Sequence, residues 1–199
     1  MWIKFCGIVR PEDLALAVEL KVDTAGMIAV PGTPRCVSLR EAKALSEVAR
    51  RSTKLTLVFR DAETEYVREM IVATKPDLLQ FHGNETVEFA ERFKLPYIKA
   101  VSNLNLRSAR SLVEHQAAFA WIIELPSDDE SISEIMSELR LKCPGQRMII
   151  AGNLRVQTVV KMIQRYQPWG VDVSRGIEHA PQQKDHDLMR AFAYAARNA

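Results

Sequence analysis

A cysteine near the N-terminus is well placed to do chemistry. Cys6 follows the short apolar run 2–5, and the Pro-Glu-Asp sequence at 11–13 then gives the signals of a helix N-terminus. This order puts the thiol at the carboxyl end of a strand, where parallel α/β folds bind ligands. The partial positive charge of helix N-termini can lower the pKa of such a thiol. The alternative is a small buried apolar residue, which free cysteines often are.

Two turns near the C-terminus indicate an anion site. Gly152 and Asn153 follow one apolar run, and Ser174, Arg175 and Gly176 follow the next. Small residues allow backbone N–H groups to approach an anion, and in (β/α)₈ barrels the loops after strands seven and eight form the usual phosphate site. A phosphorylated small-molecule substrate is therefore expected if the fold is such a barrel. The other interpretation is that these glycines only serve tight turns.

Eight short apolar runs alternate with segments of helical periodicity. The strands and helices that they predict position Cys6 and the residues of the two turns. Eight successive strand and helix units predict a parallel eight-stranded sheet closed into a small single-domain (β/α)₈ TIM barrel spanning residues 1–199. An open doubly wound sheet is the alternative, but the Gly-x-Gly-x-x-Gly turn usual after its first strand is absent from the sequence. The predicted strands are 2–5, 25–30, 54–59, 77–81, 97–101, 119–124, 147–151 and 170–173.

Composition excludes several classes of protein. The 199 residues carry a formal net charge of +2, with basic and acidic residues interspersed, so no nucleic-acid partner is expected. No apolar run reaches the length of a membrane span and no signal peptide is recognisable, so we expect a cytoplasmic protein without a membrane partner. The three cysteines are widely spaced and show no metal-ligand pattern.

On a barrel, polar residues at the strand ends form a short list of further candidates. Arg35 lies in the second loop, and His82, Lys99 and Glu124 lie at the ends of later strands. His82 could orient its loop or contact a ligand. Asp172, which stands between two valines, could pair inside the barrel or act on substrate.

Six short motifs occur in order along nearly the whole chain. They are Lys4-Phe5-Cys6-Gly7-Ile8 with Arg10-Pro11-Glu12-Asp13, Thr33-Pro34-Arg35-Cys36-Val37-Ser38, Leu79-Gln80-Phe81-His82-Gly83-Asn84-Glu85, Ile98-Lys99-Ala100, Ala151-Gly152-Asn153-Leu154, and Gly170-Val171-Asp172-Val173-Ser174-Arg175-Gly176-Ile177-Glu178. Together they resemble the successive motifs of the phosphoribosylanthranilate isomerase family.

The resemblance implies a (β/α)₈ barrel that performs an Amadori rearrangement of an aminoaldose phosphate in tryptophan biosynthesis. It implies that Cys6 is the base that removes the C2′ proton and that an acid at the end of strand six protonates the furanose ring oxygen. Arg35 would hold the anthranilate carboxylate, and we add His82 and Asp172 as substrate contacts. The phosphate would lie at Gly152, Asn153, Ser174, Arg175 and Gly176. The chemistry implied needs no metal or cofactor.

The sixth strand departs from the family pattern. The family has an aspartate followed by a glycine-rich loop, whereas here Glu124 takes the acid's position and no glycine follows until Gly145. Ser102 and Arg175 also replace residues that are usual in the family. The alternative is therefore a divergent paralogue that acts on, or only binds, another phosphorylated sugar derivative. The sequence leaves the choice between monomer and homodimer open.

Overall fold

The fold is a closed barrel of eight parallel strands surrounded by helices. The computed structural model describes residues 1–49, 53–102, 104–125 and 131–199. Within these ranges the strands are β1 Trp2–Cys6, β2 Thr24–Ile28, β3 Lys54–Phe59, β4 Leu78–Phe81, β5 Tyr97–Ser102, β6 Ala120–Glu124, β7 Met148–Ala151 and β8 Gly170–Val173. Each strand pairs with the next, and β8 pairs with β1. The predicted barrel is confirmed, and the strand ends differ from the predicted ones by at most two residues.

One α-helix follows each barrel strand along the chain, as the periodicity predicts. Of the helices in the described ranges, none is long and apolar enough to cross a membrane. Their bounds are α1 Pro11–Glu19, α2 Leu39–Val48, α3 Thr64–Thr74, α4 Val87–Glu91, α5 Leu106–Glu114, α6 Ser131–Lys142, α7 Val156–Tyr166 and α8 His186–Arg197.

The strands are almost entirely buried because each has two covered faces. Outward-facing side chains such as Phe5 and Trp121 belong to the large apolar layer under the helices. Inward-facing ones such as Ile122 and Ile149 form a separate cluster in the barrel interior. Successive residues of a strand alternate between these two environments, so only every second residue can reach the central cavity.

A short hairpin after β8 was not predicted from the sequence. A 3₁₀ turn at Arg175–Ile177 leads into β9 Glu178–Ala180 and β10 Gln183–Lys184, which pair antiparallel. These strands are too short to show a hydrophobic period. The loop at 126–130, predicted to lie on the carboxyl face, falls outside the described residues.

A buried ion pair holds the loop that follows β4. Lys99 faces the helix layer rather than the cavity, since its register partner Trp121 is part of that layer. Its Nζ donates to the Gly83 carbonyl at 2.7 Å and to Glu85 Oε2 at 3.0 Å. The Glu85 carboxylate also accepts hydrogen bonds from the backbone N–H groups of Asp61 and Gly83. The candidate Lys99 is therefore a structural residue.

We expect Lys99→Met to lower the free energy of unfolding by about 3–5 kcal/mol, because it leaves the Glu85 carboxylate buried without its cation. Urea unfolding followed by circular dichroism measures the change. Lys161→Met, on the exposed face of α7, is the matched control and should change stability by less than about 0.5 kcal/mol. The double variant Lys99→Met/Glu85→Gln should recover part of the loss; equal stability of Lys99→Met and the wild type would contradict this assignment.

Candidate active site

One cavity at the carboxyl ends of the strands brings together ten of the eleven candidate residues selected from the sequence, all except Lys99. Its volume is about 300 Å³. Its walls come from seven of the eight barrel strands and from the loops that follow them, as expected for this fold. The ten residues are Cys6, Arg35, His82, Glu124, Gly152, Asn153, Asp172, Ser174, Arg175 and Gly176.

The sequence analysis missed several polar residues of the site. Arg60 and Gln80 line the cavity, while Lys4, Ser102 and Lys184 contact residues that do. Arg60 directly follows β3, so the rule that selected the other strand-end residues could have found it. Lys4 and Gln80 lie within strands. At such positions the sequence does not show whether a polar side chain points into the barrel or whether the alternation of the strand has been assigned one residue out of register.

Cys6 lies in a buried, charged environment inside the barrel. The register places it opposite Gly26, and a Cβ atom at position 26 would lie 3.0 Å from Lys4 Nζ and 3.1 Å from Cys6 Sγ. The absence of a side chain at Gly26 therefore leaves room for both groups. Lys4 Nζ lies 3.0 Å from Asp172 Oδ1, and Lys4 is fully buried. Asp172 thus pairs inside the barrel and also lines the cavity.

Burial decides the protonation behaviour of the thiol. It raises the pKa of Cys6 above its ordinary value, although the positive charge and hydrogen bond of Lys4 oppose the shift. This is the opposite of the lowering that a nearby helix N-terminus would give. A thiolate of raised pKa is the stronger base once it forms, and Lys4 is the main group that favours its formation.

Glu124 is held at the opposite side of the cavity by two neighbours. Its Oε2 accepts a hydrogen bond from Ser102 Oγ at 2.7 Å and lies 3.6 Å from His82 Nε2. His82, together with the Ser102 hydroxyl and the charge of Arg60, lowers the pKa of Glu124 to about 2 against the effect of burial. In the free protein this carboxyl group is therefore ionised at neutral pH.

Arg35 is fixed by a carboxylate from the unpredicted hairpin. Its Nε donates to Glu178 Oε1 at 2.7 Å, and its Nη2 makes a second bond to the other oxygen of the same carboxylate. Glu178 also accepts from Lys184 Nζ at 2.8 Å. Burial raises the pKa of Glu178, but the two cations outweigh it and the net shift is downward. Two cations around one carboxylate leave a net positive site at the mouth of the barrel.

Lys184 connects the pair of Arg35 and Glu178 to Cys6 at the end of β1 and to the turn after β8. Its buried Nζ also donates to the Cys6 carbonyl at 2.7 Å and to the Ser174 carbonyl at 3.1 Å. A single ammonium group thus ties together the hairpin, the end of β1 and the turn after β8. Lys184 lies outside every motif used in the sequence analysis.

The turns after β7 and β8 approach each other at glycines. A Cβ atom at Gly176 would overlap the carbonyl oxygen of Leu154, and one at Gly152 would lie 2.6 Å from the carbonyl oxygen of Leu125. Arg175 Nη2 donates to Asn153 Oδ1 at 3.3 Å across the two turns. The glycines therefore permit close packing of the two loops, which brings their small residues to the cavity wall.

Comparison with known proteins identifies the family. Residues 3–195 match the family model described as N-(5'-phosphoribosyl)anthranilate (PRA) isomerase. The chain belongs to the N-(5'-phosphoribosyl)anthranilate isomerase family. The isomerase of that name from Xanthomonas campestris pv. campestris is 36% identical over 207 residues, which cover 99% of this chain and 93% of the relative. The corresponding isomerase of Stenotrophomonas maltophilia is 34% identical, with the same coverage.

Solved isomerase structures share the fold over the whole chain. The isomerase of Thermus thermophilus has a TM-score of 0.84 at 25% identity and covers 100% of this chain, which covers 99% of it. A phosphoribosylanthranilate isomerase bound to reduced 1-(o-carboxyphenylamino)-1-deoxyribulose 5-phosphate has a TM-score of 0.89 at 24% identity, with 100% of both chains covered. The comparisons give no support to a divergent paralogue with another substrate. Among the described residues, no group of three or more His, Cys, Asp or Glu side chains could hold a metal ion.

We expect Lys4→Gln to raise the pKa of Cys6 further, because the variant removes the cation that favours the thiolate. The ultraviolet absorbance of the thiolate, taken as the difference between each variant and its Cys6→Ser counterpart, follows the titration. Lys4→Gln/Asp172→Asn removes the anion that is left unpaired and should still show the upward shift. Lys161→Met is the control for an exposed lysine; a fall in the Cys6 pKa in Lys4→Gln would refute the role given to Lys4.

We expect Gly176→Ala to weaken binding of inorganic phosphate by at least about tenfold, because the added Cβ forces the turns after β7 and β8 apart. Isothermal titration calorimetry measures the affinity. Gly145→Ala is the control, since its Cβ would meet no heavy atom within 4 Å. Unchanged phosphate affinity in Gly176→Ala would place the phosphate elsewhere.

Proposed function

We propose that this chain catalyses the Amadori rearrangement of N-(5'-phosphoribosyl)anthranilate, with Cys6 as the base and Glu124 as the acid. The observation that carries the proposal is the shared cavity of about 300 Å³, in which the thiol, the carboxylate and the two small-residue turns all take part. Membership of the isomerase family supports the reaction. The residue roles rest on the geometry and on the family resemblance.

The charges of the cavity suit a substrate with two anionic ends. The phosphate would lie against the turns at Gly152–Asn153 and Ser174–Gly176, where Arg175 adds a positive charge. The anthranilate carboxylate would lie at Arg35, whose guanidinium is held in place by Glu178. With both ends fixed, the ribose lies between Cys6 and Glu124. Fixing a reactant in this way can contribute several kcal/mol to catalysis.

Ring opening is the step that needs an acid. A proton is transferred to the furanose ring oxygen as the bond from that oxygen to C1′ breaks. The lone pair of the anthranilate nitrogen then forms the C=N bond of a positively charged Schiff base. Glu124 is the carboxyl group at the end of β6, beside the turn after β7, and it is the residue we assign to this proton transfer.

Proton transfer from carbon is the step that needs a base. The Cys6 thiolate removes the C2′ proton, and the electrons of that bond flow into the Schiff base to give an enolamine. The enolamine becomes the ketone when C1′ gains a proton and the 2′-hydroxyl loses one. Cys6 holds a proton after the first of these transfers and can return it to C1′, so the base is regenerated. The released hydroxyl proton regenerates the acid.

Ser102 lies beside the glutamate at the acid position and holds its carboxylate. The register pairs Ser102 directly with Glu124 across β5 and β6, and their side chains are hydrogen-bonded. The longer carboxylate is therefore held in one place rather than left free to rotate. This arrangement supports Glu124 as an accepted substitute for the family aspartate.

Loss of the anthranilate fluorescence of freshly made substrate provides the assay, and Cys6→Ala should abolish turnover. Glu124→Gln should lower kcat by about 10²–10⁴, because the amide cannot donate the proton that a carboxyl group supplies. Glu124→Asp should lower kcat by roughly a hundredfold, since the shorter side chain moves away from Ser102 and from the ring oxygen.

Tyr194→Phe, on the exposed face of α8, is the control and should retain the wild-type rate. A Glu124→Gln protein with the wild-type kcat would remove Glu124 from the acid role. Turnover that persists in Cys6→Ala would remove Cys6 as the base.

A further inference from the structure

The residues around Glu124 form a chain of hydrogen bonds that leads to His82. Ser102 Oγ lies 2.7 Å from Glu124 Oε2, and His82 Nε2 lies 3.1 Å from Ser102 Oγ. The direct distance from His82 Nε2 to Glu124 Oε2 is 3.6 Å, too long for a good hydrogen bond. Ser102 therefore bridges the imidazole and the carboxylate.

The direction of these hydrogen bonds follows from the number of protons available. A serine hydroxyl has one proton, and Ser102 donates it to the ionised Glu124, which can only accept. The bond between Ser102 and His82 must then be donated by His82, so Nε2 carries a proton. Both donors point the same way, from the imidazole toward the carboxylate.

We propose that His82, acting through Ser102, supplies the proton that Glu124 delivers to the furanose ring oxygen. The inference rests on the proposed function, because it assigns the source of the proton used in the ring-opening step. His82 and Ser102 act through Glu124 and are positioning residues in a proton relay. The acid of this enzyme is then a unit of three side chains.

Each proton that one group of the relay loses is gained by the next group. The Nε2–H bond of the His82 imidazolium breaks as a new O–H bond forms on Ser102, and the original Ser102 proton moves to Glu124 Oε2. Glu124 passes this proton to the ring oxygen as the ring opens, leaving His82 neutral with its proton on Nδ1. The proton released from the 2′-hydroxyl returns along the same path and restores the imidazolium.

Two further observations support the relay. The carboxylate alone has no proton to give in the free protein, because His82 and the Ser102 hydroxyl lower its pKa to about 2. In addition, Glu124 and Ser102 are adjacent in the strand register. The longer acid and the hydroxyl beside it therefore form one local arrangement.

Several other charged or titratable groups line the same cavity. They are Cys6, Arg35, Arg60, Asp172 and Arg175. A pH profile of the rate therefore contains more than one titration. For this reason the test uses chemical rescue and direct observation of the imidazole rather than the pH profile alone.

The first test replaces the imidazole and then returns it from solution. We expect His82→Ala to lower kcat more than KM rises and to regain rate on addition of imidazole, in proportion to the protonated fraction. His82→Gln keeps a donor but holds no transferable proton, and it should be as slow as His82→Ala. His179→Ala, which removes an exposed histidine of the hairpin, is the matched control. A wild-type kcat in His82→Gln would overturn the relay.

The second test changes Ser102, which bridges His82 and Glu124. Ser102→Ala should lower kcat, and Ser102→Thr, which restores the hydroxyl, should recover most of the rate. Equal rates for Ser102→Ala and the wild type would overturn the role of the hydroxyl. These comparisons require an active wild-type enzyme; a wild type without turnover would instead count against the proposed function.

A measurement without substrate distinguishes failure of the relay from failure of the proposed function. The ¹⁵N resonances of the His82 imidazole, assigned by their loss in His82→Gln, report which nitrogen carries the proton. The relay requires a proton on Nε2. An Nε2 without a proton would overturn the relay even if the isomerase activity is established.

Discussion

Closure of the parallel sheet is the constraint on which the rest of this structure depends. In a closed parallel barrel every strand ends at the same rim, and alternate residues of every strand point inward. Cys6 on β1, Glu124 on β6 and Asp172 on β8 are far apart in the sequence but become neighbours in one cavity for this reason. The helices cover the outer face and exclude water from it, which leaves the rim as the accessible end for chemistry.

Charged groups inside the barrel connect its stability to its chemistry. Lys4 and Asp172 are paired beside the thiol, and Lys184 is paired with Glu178 beneath Arg35. A buried ion pair contributes little net stability compared with apolar packing, because desolvation offsets most of the attraction. These pairs are better understood as means of fixing charges, because Lys4 favours the Cys6 thiolate and Glu178 holds the Arg35 guanidinium in place.

The acid side of the cavity shows how a local change can be accommodated. The family resemblance implies an aspartate as the acid, whereas this chain has a longer carboxylate beside a hydroxyl donor and an imidazole. The hydrogen bonds fix the position of Glu124 and also keep it ionised. A group that is held so firmly in its basic form needs a proton source, and the histidine beside it is the nearest one.

The sequence by itself determined the alternation of strands and helices, the closure into eight units and the residues at the strand ends. Short buried strands and the glycine turns carry strong local signals, so the sequence alone predicts that Cys6, Gly152 and Gly176 follow strands. The sign of the Cys6 pKa shift could not be predicted in this way, because it depends on burial and on Lys4, and hydrophobic periodicity does not report either.

Only the tertiary structure decided which polar residues meet. Lys99 lies within β5 and pairs with Trp121, three residues before Glu124 at the end of β6. Because this separation is odd, Lys99 faces the helix layer and Glu124 faces the cavity. Lys184 reaches the Cys6 carbonyl across most of the chain, through a hairpin too short to be recognised. Local patterns fix the elements, whereas contacts between distant residues depend on how the elements close around the core.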